Sequence, residues 1–302
     1  METQAEYYVV IPGVTGPTEN ITLSFLPEVH GEVEAVVVGG RVLGVDVSHW
    51  QAKRDVVPVI HMDWEKCKQA GAQFAYIRAG SINTNGICYE DYEFRYNSEA
   101  APGLMPVGYY WYWRPNFASL PQADFFCSLI ESKDRRLPPV VDVETAGGLS
   151  AGAIADRLAN FCGYVWDNLG EWPVIYTRGS FWNPTASGPG VGDHPLWASL
   201  DLWVARYTSL PEPWGNPGDS PVLRPRHWND WLFWQWSADG NGRGAEFGAQ
   251  SNSIDLDYYN GNQDDFDDEF GEDGMLLEER VAKLEVDVEL LKSEARRHGW
   301  EV

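Results

Sequence analysis

The chain has 302 residues, 44% of them hydrophobic, which suffices for one large core with appendages or for two modest domains. A formal charge of -23 argues against recognition of nucleic acid through its phosphates and against attraction to anionic lipid. No apolar run approaches the roughly 20 residues that span a bilayer, so membrane insertion is not expected.

The 15 tryptophans admit two readings, a Trp-rich core or a groove walled by rings. Cys67, Cys88, Cys127 and Cys162 form no CxxC pair. Free thiols in a reducing cytosol are the expectation. The start, METQAEYYVV, lacks a basic n-region and an apolar h-region. No secretory signal is expected, and a target outside the cell requires delivery by another route.

In chain order, residues 1–40 carry three short β-type runs, YYVVIPG, ITLSFLPEV and EVEAVVVGG, broken by Pro and Gly. They read as a β-rich N-terminal extension or docking arm. From 41 to 262 strand-like and helix-like segments alternate. RVLGVDVS is a strand, DWEKCKQAGA a helix, QFAYIRAG a strand, EFRYNSEAAPG a helix and MPVGYYWYW a strand. QADFFCSLIESK is a helix, PPVVDVE a strand, and SAGAIADRLANFCGYVWDNLG a long helix capped by Ser150. WPVIYT, LWVARY and WLFWQWS are strands without good helices between them. This rhythm predicts parallel α/β architecture, a (β/α) barrel that finishes irregularly. Residues 263–274, QDDFDDEFGEDG, read as an acidic linker. In 275–302, Leu277, Val281, Leu284, Val288 and Leu291 recur at spacings of four and three. That heptad seam predicts a coiled-coil helix joining a homo-oligomer, dimer or trimer, through residues 277–295. A single amphipathic helix lying on the main body is the other reading.

In PPVVDVETAGG, Asp142 and Glu144 flank Val143 at the end of an apolar run. Residues i and i+2 of a strand share a face, with Cα atoms roughly 7 Å apart. Strand C-termini carry the active site of a β/α barrel. Like charges raise each other's pKa, so one acid keeps its proton while the other is an anion. That division of labour suits glycoside hydrolysis. Surface acids and a metal-ligand pair are the alternatives, but the six histidines are scattered and no metal is expected. Asp46 ends a second apolar run, and Asp255 and Asp257 form a third acidic cluster. Aromatic stretches accompany them, so the pattern predicts an acidic groove walled by rings.

The motifs DVSHWQ, FAYIRAG, GYYWYW, VVDVE, VIYT, LWVARY, WQWS and DLDYYNG stand in the order found in the family 25 glycoside hydrolases, which this chain resembles over about 41–262. These are N-acetylmuramidases of phages, bacteria and fungi. The resemblance implies an irregular (β/α) barrel of the family 25 lysozyme type. It implies cleavage of the β-1,4 bond between N-acetylmuramic acid and N-acetylglucosamine in peptidoglycan, with no cofactor. By motif, Glu144 matches the proton donor and Asp142 its partner carboxylate. Asp46 and Asp255 match two further active-site carboxylates. Tyr110, Tyr176, Trp203 and Gln235 match positions at the sugar site, with a purely structural role open for Tyr176 and Trp203. Whether a carboxylate or the substrate's acetamido group attacks the anomeric carbon stays open. Trp111-Tyr112 replaces the family's common His-Phe or His-Tyr, and the stretch AKRDVVPVIHM is longer than usual. So is the stretch between Tyr207 and Trp231. A phage-encoded enzyme acting on the host wall is the expectation. A virion tail protein docking through residues 1–40, and a non-catalytic wall-binding protein, are the rivals.

Overall fold

The computed structural model describes residues 41–207 and 224–271. The N-terminal extension, the heptad seam and most of the Tyr207–Trp231 stretch lie outside the described residues. Eight strands close into a barrel: β1 (Leu43–Val47), β2 (Phe74–Ile82), β4 (Val107–Tyr112), β5 (Val140–Asp142), β6 (Val174–Thr177), β7 (Leu202–Ala205), β8 (Phe233–Ser237) and β9 (Asp255–Tyr259). β1 pairs parallel with β2, and parallel pairing continues from β2 through β4 to β8. β9 is antiparallel to both β8 and β1 and closes the ring. The irregular finish expected from the sequence is this antiparallel strand. A short β3 (Cys88–Glu90), absent from the sequence reading, folds back on the end of β2.

Helices α1 (Trp64–Gln69), α2 (Phe94–Ala100), α3 (Ser119–Ile130), α4 (Ala151–Leu169) and α5 (Gly179–Trp182) follow the strands. α4 shows why these segments are helical. Ser150 caps its first turn by accepting from the Ala153 amide, and Gly170 ends it with a left-handed φ of 71°. Ile154, Ala155, Leu158, Phe161, Cys162 and Val165 make one buried stripe. They belong to an apolar layer that includes the outward strand residues Val45, Ile77, Val141 and Ile175. A second apolar cluster, with Phe74, Tyr76, Val140, Trp203 and Phe233, fills the barrel itself. Two rings fit there because Gly44 faces Phe74 and Gly108 faces Tyr76; a Cβ at either glycine would overlap the ring.

One expectation is corrected. Residues 263–270, read as acidic linker, form helix α6 (Gln263–Phe270), capped by Asn262 and Asp265. Its acids conceal an i, i+4 pair: Phe266 and Phe270 are buried against Phe74, Phe233 and Tyr259 at the end of the barrel away from the acids. Burying each such ring contributes about 1.5–3 kcal/mol, which outweighs the acidic composition around it. The four cysteines are free thiols. Among the described residues no helix is long and apolar enough to cross a membrane.

Candidate active site

The inward-facing side chains change character along the barrel, from rings near α6 to carboxyls at the other end. A cavity of about 270 Å³ opens there, at the C-terminal ends of the parallel strands. All eight residues singled out from the sequence line it: Asp46 on β1, Tyr110 on β4, Asp142 on β5, Glu144 just beyond, Tyr176 on β6, Trp203 on β7, Gln235 on β8 and Asp255 on β9. Asp255 reaches the mouth because β9 runs backwards, so its first residue lies beside the last residues of its neighbours.

β5 ends at Asp142, yet the ladder runs one step further. The Val143 amide donates to the Tyr176 carbonyl at 2.9 Å, and Thr177 Oγ1 donates to the Val143 carbonyl at 2.8 Å. Val143 is thereby pinned with its side chain in the outer apolar layer, while Asp142 and Glu144 both face the cavity. That is the period-2 arrangement the DVE spacing predicts.

Behind the cavity wall lies a hydrogen-bond chain. Tyr176 Oη donates to Gln235 Oε1 at 2.6 Å, and Gln235 Nε2 donates to Asp46 Oδ2 at 2.5 Å. Trp203 Nε1 donates to Asp257 Oδ1 at 2.9 Å, and the charge of Asp46 acts on the Asp257 carboxyl. Asp257 has zero exposure, and its Oδ2 receives no hydrogen bond within the described protein. Trp203 also stacks on Tyr76 at 4.6 Å and meets Tyr176 edge-on at 4.8 Å. It is floor and core at once. Of the tryptophans, Trp50 and Trp203 line the cavity, whereas Trp111, Trp113, Trp182, Trp197 and Trp236 are core. Trp111, at the departure from the family's pattern, is buried with its indole on Gln122, and Tyr112 reaches the cavity.

Sequence reasoning passed over Arg78, Arg178 and Tyr207, and it named Asp257 in the third acidic cluster without giving it a role in the site. The DLD spacing already places Asp257 on the face of Asp255. Arg78, four residues along β2, lines the cavity with its guanidinium 5.1 Å over the Tyr112 ring. Nothing in FAYIRAG alone marks it as more than a strand residue. Among the described residues no group of three His, Cys, Asp or Glu side chains is placed to hold a metal ion.

Burial is the main cause of every carboxyl shift in this site. It raises Asp46 to about 7, with Gln235 opposing and Glu144 adding repulsion. Asp142 is pushed well above the ordinary range by burial and by Glu144, against the pull of Arg78. Glu144 is raised by burial, with Arg178 and Arg78 opposing. Asp255 and Asp257 go well above the ordinary range through burial and the Asp46 charge. Each group therefore holds its proton to higher pH when folded than when unfolded. Their contribution to stability is full below about pH 4 and is lost as pH rises through the folded values, about 7 for Asp46. Thermal melts should therefore show the melting temperature falling by several degrees between about pH 5 and pH 8. A melting temperature that rises over that interval would contradict the buried-proton picture.

The family model for glycosyl hydrolases family 25 matches residues 45–245. Lysozyme M1 of Streptomyces globisporus is 33% identical over 232 residues, 73% of this chain and 68% of that protein. The N,O-diacetylmuramidase of Arthroderma benhamiae is 25% identical over 206 residues, 65% of this chain and 77% of that protein. The crystal structure of the bacterial lysozyme from Streptomyces coelicolor aligns with a TM-score of 0.58 at 27% identity, covering 77% of this chain and 98% of that one. With this barrel, and with its acids gathered at the strand ends, the chain belongs to glycosyl hydrolases family 25 and is a glycoside hydrolase.

Proposed function

We propose that the protein is an N-acetylmuramidase, cleaving peptidoglycan between N-acetylmuramic acid and N-acetylglucosamine. The observation that carries this reading is the convergence of Asp142, Glu144, Asp46 and Asp255 on one ring-walled cavity. The relatives named lysozyme and muramidase support the substrate.

Glu144 is the general acid. It is only half-buried at the mouth, and burial raises its pKa above the ordinary carboxyl range, which favours the protonated form that an acid requires. That proton passes to the glycosidic oxygen as the bond to the anomeric carbon breaks. Asp142 Oδ1 is buried and receives no hydrogen bond within the protein. Such an atom gains most from a donor that arrives with the ligand. The acetamido N–H of the sugar being cleaved is that donor. Held there, the acetamido oxygen forms a bond to the anomeric carbon, a recognised exception to attack by an enzyme carboxylate. Water then opens the intermediate and returns a proton to Glu144. Asp46 and Asp255 line the opposite wall and face the positive charge that builds on the ring. Tyr110, Tyr176, Trp203 and Gln235 shape the sugar-binding wall.

Delivery to the wall as an oligomer, free or in a virion of phage origin, belongs to the same proposal. Its support is the heptad seam in the sequence. Mass spectrometry of fragments released from purified peptidoglycan tests the activity. Muramic acid is expected at the new reducing ends; N-acetylglucosamine there would identify a glucosaminidase and overturn the reading.

A further inference from the structure

The cavity is small for a polymer. At about 270 Å³ it falls just below the roughly 300–1,000 Å³ range of small-molecule sites. Any further grip on a glycan strand must come from the surface beside it. Two large rings stand out there. Trp50 is 70% exposed and Tyr92 is 66% exposed. Large rings left in water are informative when they are contiguous and held in place.

These rings are held. The Trp50 backbone sits in a capping turn in which Ser48 and buried Gln51 bond reciprocally. The His49 ring lies between them, 4.5 Å from Trp50 and 5.6 Å from Tyr92. His49 Nδ1 is fixed on the carboxylate of Asp91 at 2.7 Å, and Asp91 is 2% exposed. Arg54 lies 4.7 Å over the Tyr92 ring and donates to the Tyr92 carbonyl at 2.9 Å. The same Arg54 is anchored on Glu93, also 2% exposed, at 2.7 Å. The long stretch after DVSHWQ thus has a structural result: it brings Arg54, and with it His61, onto Glu93. Buried acids, which require partners, here serve to fix an exposed wall of rings.

The wall is continuous with the cleft, because Trp50 lines the cavity on its inner side. Fixed rings bind with little loss of conformational freedom. The C–H faces of pyranose rings are apolar and flat, matching this surface. We propose that Trp50, His49 and Tyr92 form an outer subsite that takes sugar rings of the glycan strand beyond the bond being cut. The location of this subsite rests on the cleft described above; its ligand class rests on the glycan reading of the proposed function.

Tyr92→Ala separates this role from general damage, since the side chain is exposed and outside the cavity. Peptide-free glycan strands and the shortest cleavable fragment are the two substrates. We expect KM for long strands to rise about 3- to 10-fold, the range of one aromatic contact, with kcat unchanged and the short fragment cut as before. Tyr92→Phe, which keeps the ring, should behave as wild type. Equal losses on both substrates, or no loss on either, would overturn the proposal. Calorimetric titration of a long N-acetylglucosamine oligomer into Glu144→Gln protein, with and without Tyr92→Ala, reads binding without turnover. There, loss of affinity with Tyr92→Ala supports the subsite whichever bond the enzyme cuts, and unchanged affinity overturns it. The reducing-end sugar separately decides the muramidase reading.

Discussion

Glu144→Gln should lower kcat/KM on peptidoglycan by about 10²–10⁴-fold while leaving the fold at least as stable as wild type. Glutamine fills the same space and removes the transferable proton, so the leaving oxygen departs as an alkoxide. The stability half follows from charge. Glu144 is among the causes that raise both Asp142 and Asp46. Without its charge, both neighbours ionise more readily, and the decline of stability toward alkaline pH should flatten. Reducing-end release measures the first effect and melting curves at several pH values the second. A variant that turns over like wild type would remove Glu144 from the role of acid.

The second large effect is expected at Asp142. Asp142→Asn keeps shape and burial but replaces one carboxyl oxygen by an amide N–H₂ group. With the remaining oxygen turned to the substrate, the group is a weaker acceptor; with the NH₂ turned inward, it opposes the acetamido N–H donor to donor. A loss of about 10²–10³-fold in kcat is expected, the scale of removing one well-placed transition-state contact. The informative readout is selectivity. Wild type should strongly prefer N-acetylated glycan over N-deacetylated glycan. If Asp142 acts through the acetamido group, the variant should lose most of that preference. Preserved selectivity with a reduced rate would instead assign Asp142 a purely electrostatic part.

Much of this site was legible because strand periodicity is strict. DVE could be read as two acids on one face, a second apolar run ended in Asp46, and DLD supplied a third acidic cluster. Those signals are local, and the closed barrel converts them into proximity. What stayed hidden depends on contacts made at a distance. Asp257 acquires its role from Trp203, 54 residues away, and from Asp46 at the other end of the barrel sequence. Arg78 matters only because β2 stands near β5 in the closed ring. In α6 local composition misled: five acids in eight residues suggest a solvated linker. Two phenylalanines one turn apart decide otherwise, because the open end of the barrel needs an apolar plug. β3 has only three residues, and no periodicity can be read over so short a run.

The antiparallel β9 has a consequence for the order in which the protein becomes an enzyme. β1 emerges from the ribosome first, carrying Asp46, and must wait for a strand made more than 200 residues later. Until Asp255 and Asp257 have left the exit tunnel, Asp46 lacks its register partner on β9 and Trp203 has no acceptor for its indole. A nascent or prematurely ended chain therefore lacks an assembled cleft. The cleft is thus complete only once nearly the whole barrel has been synthesised.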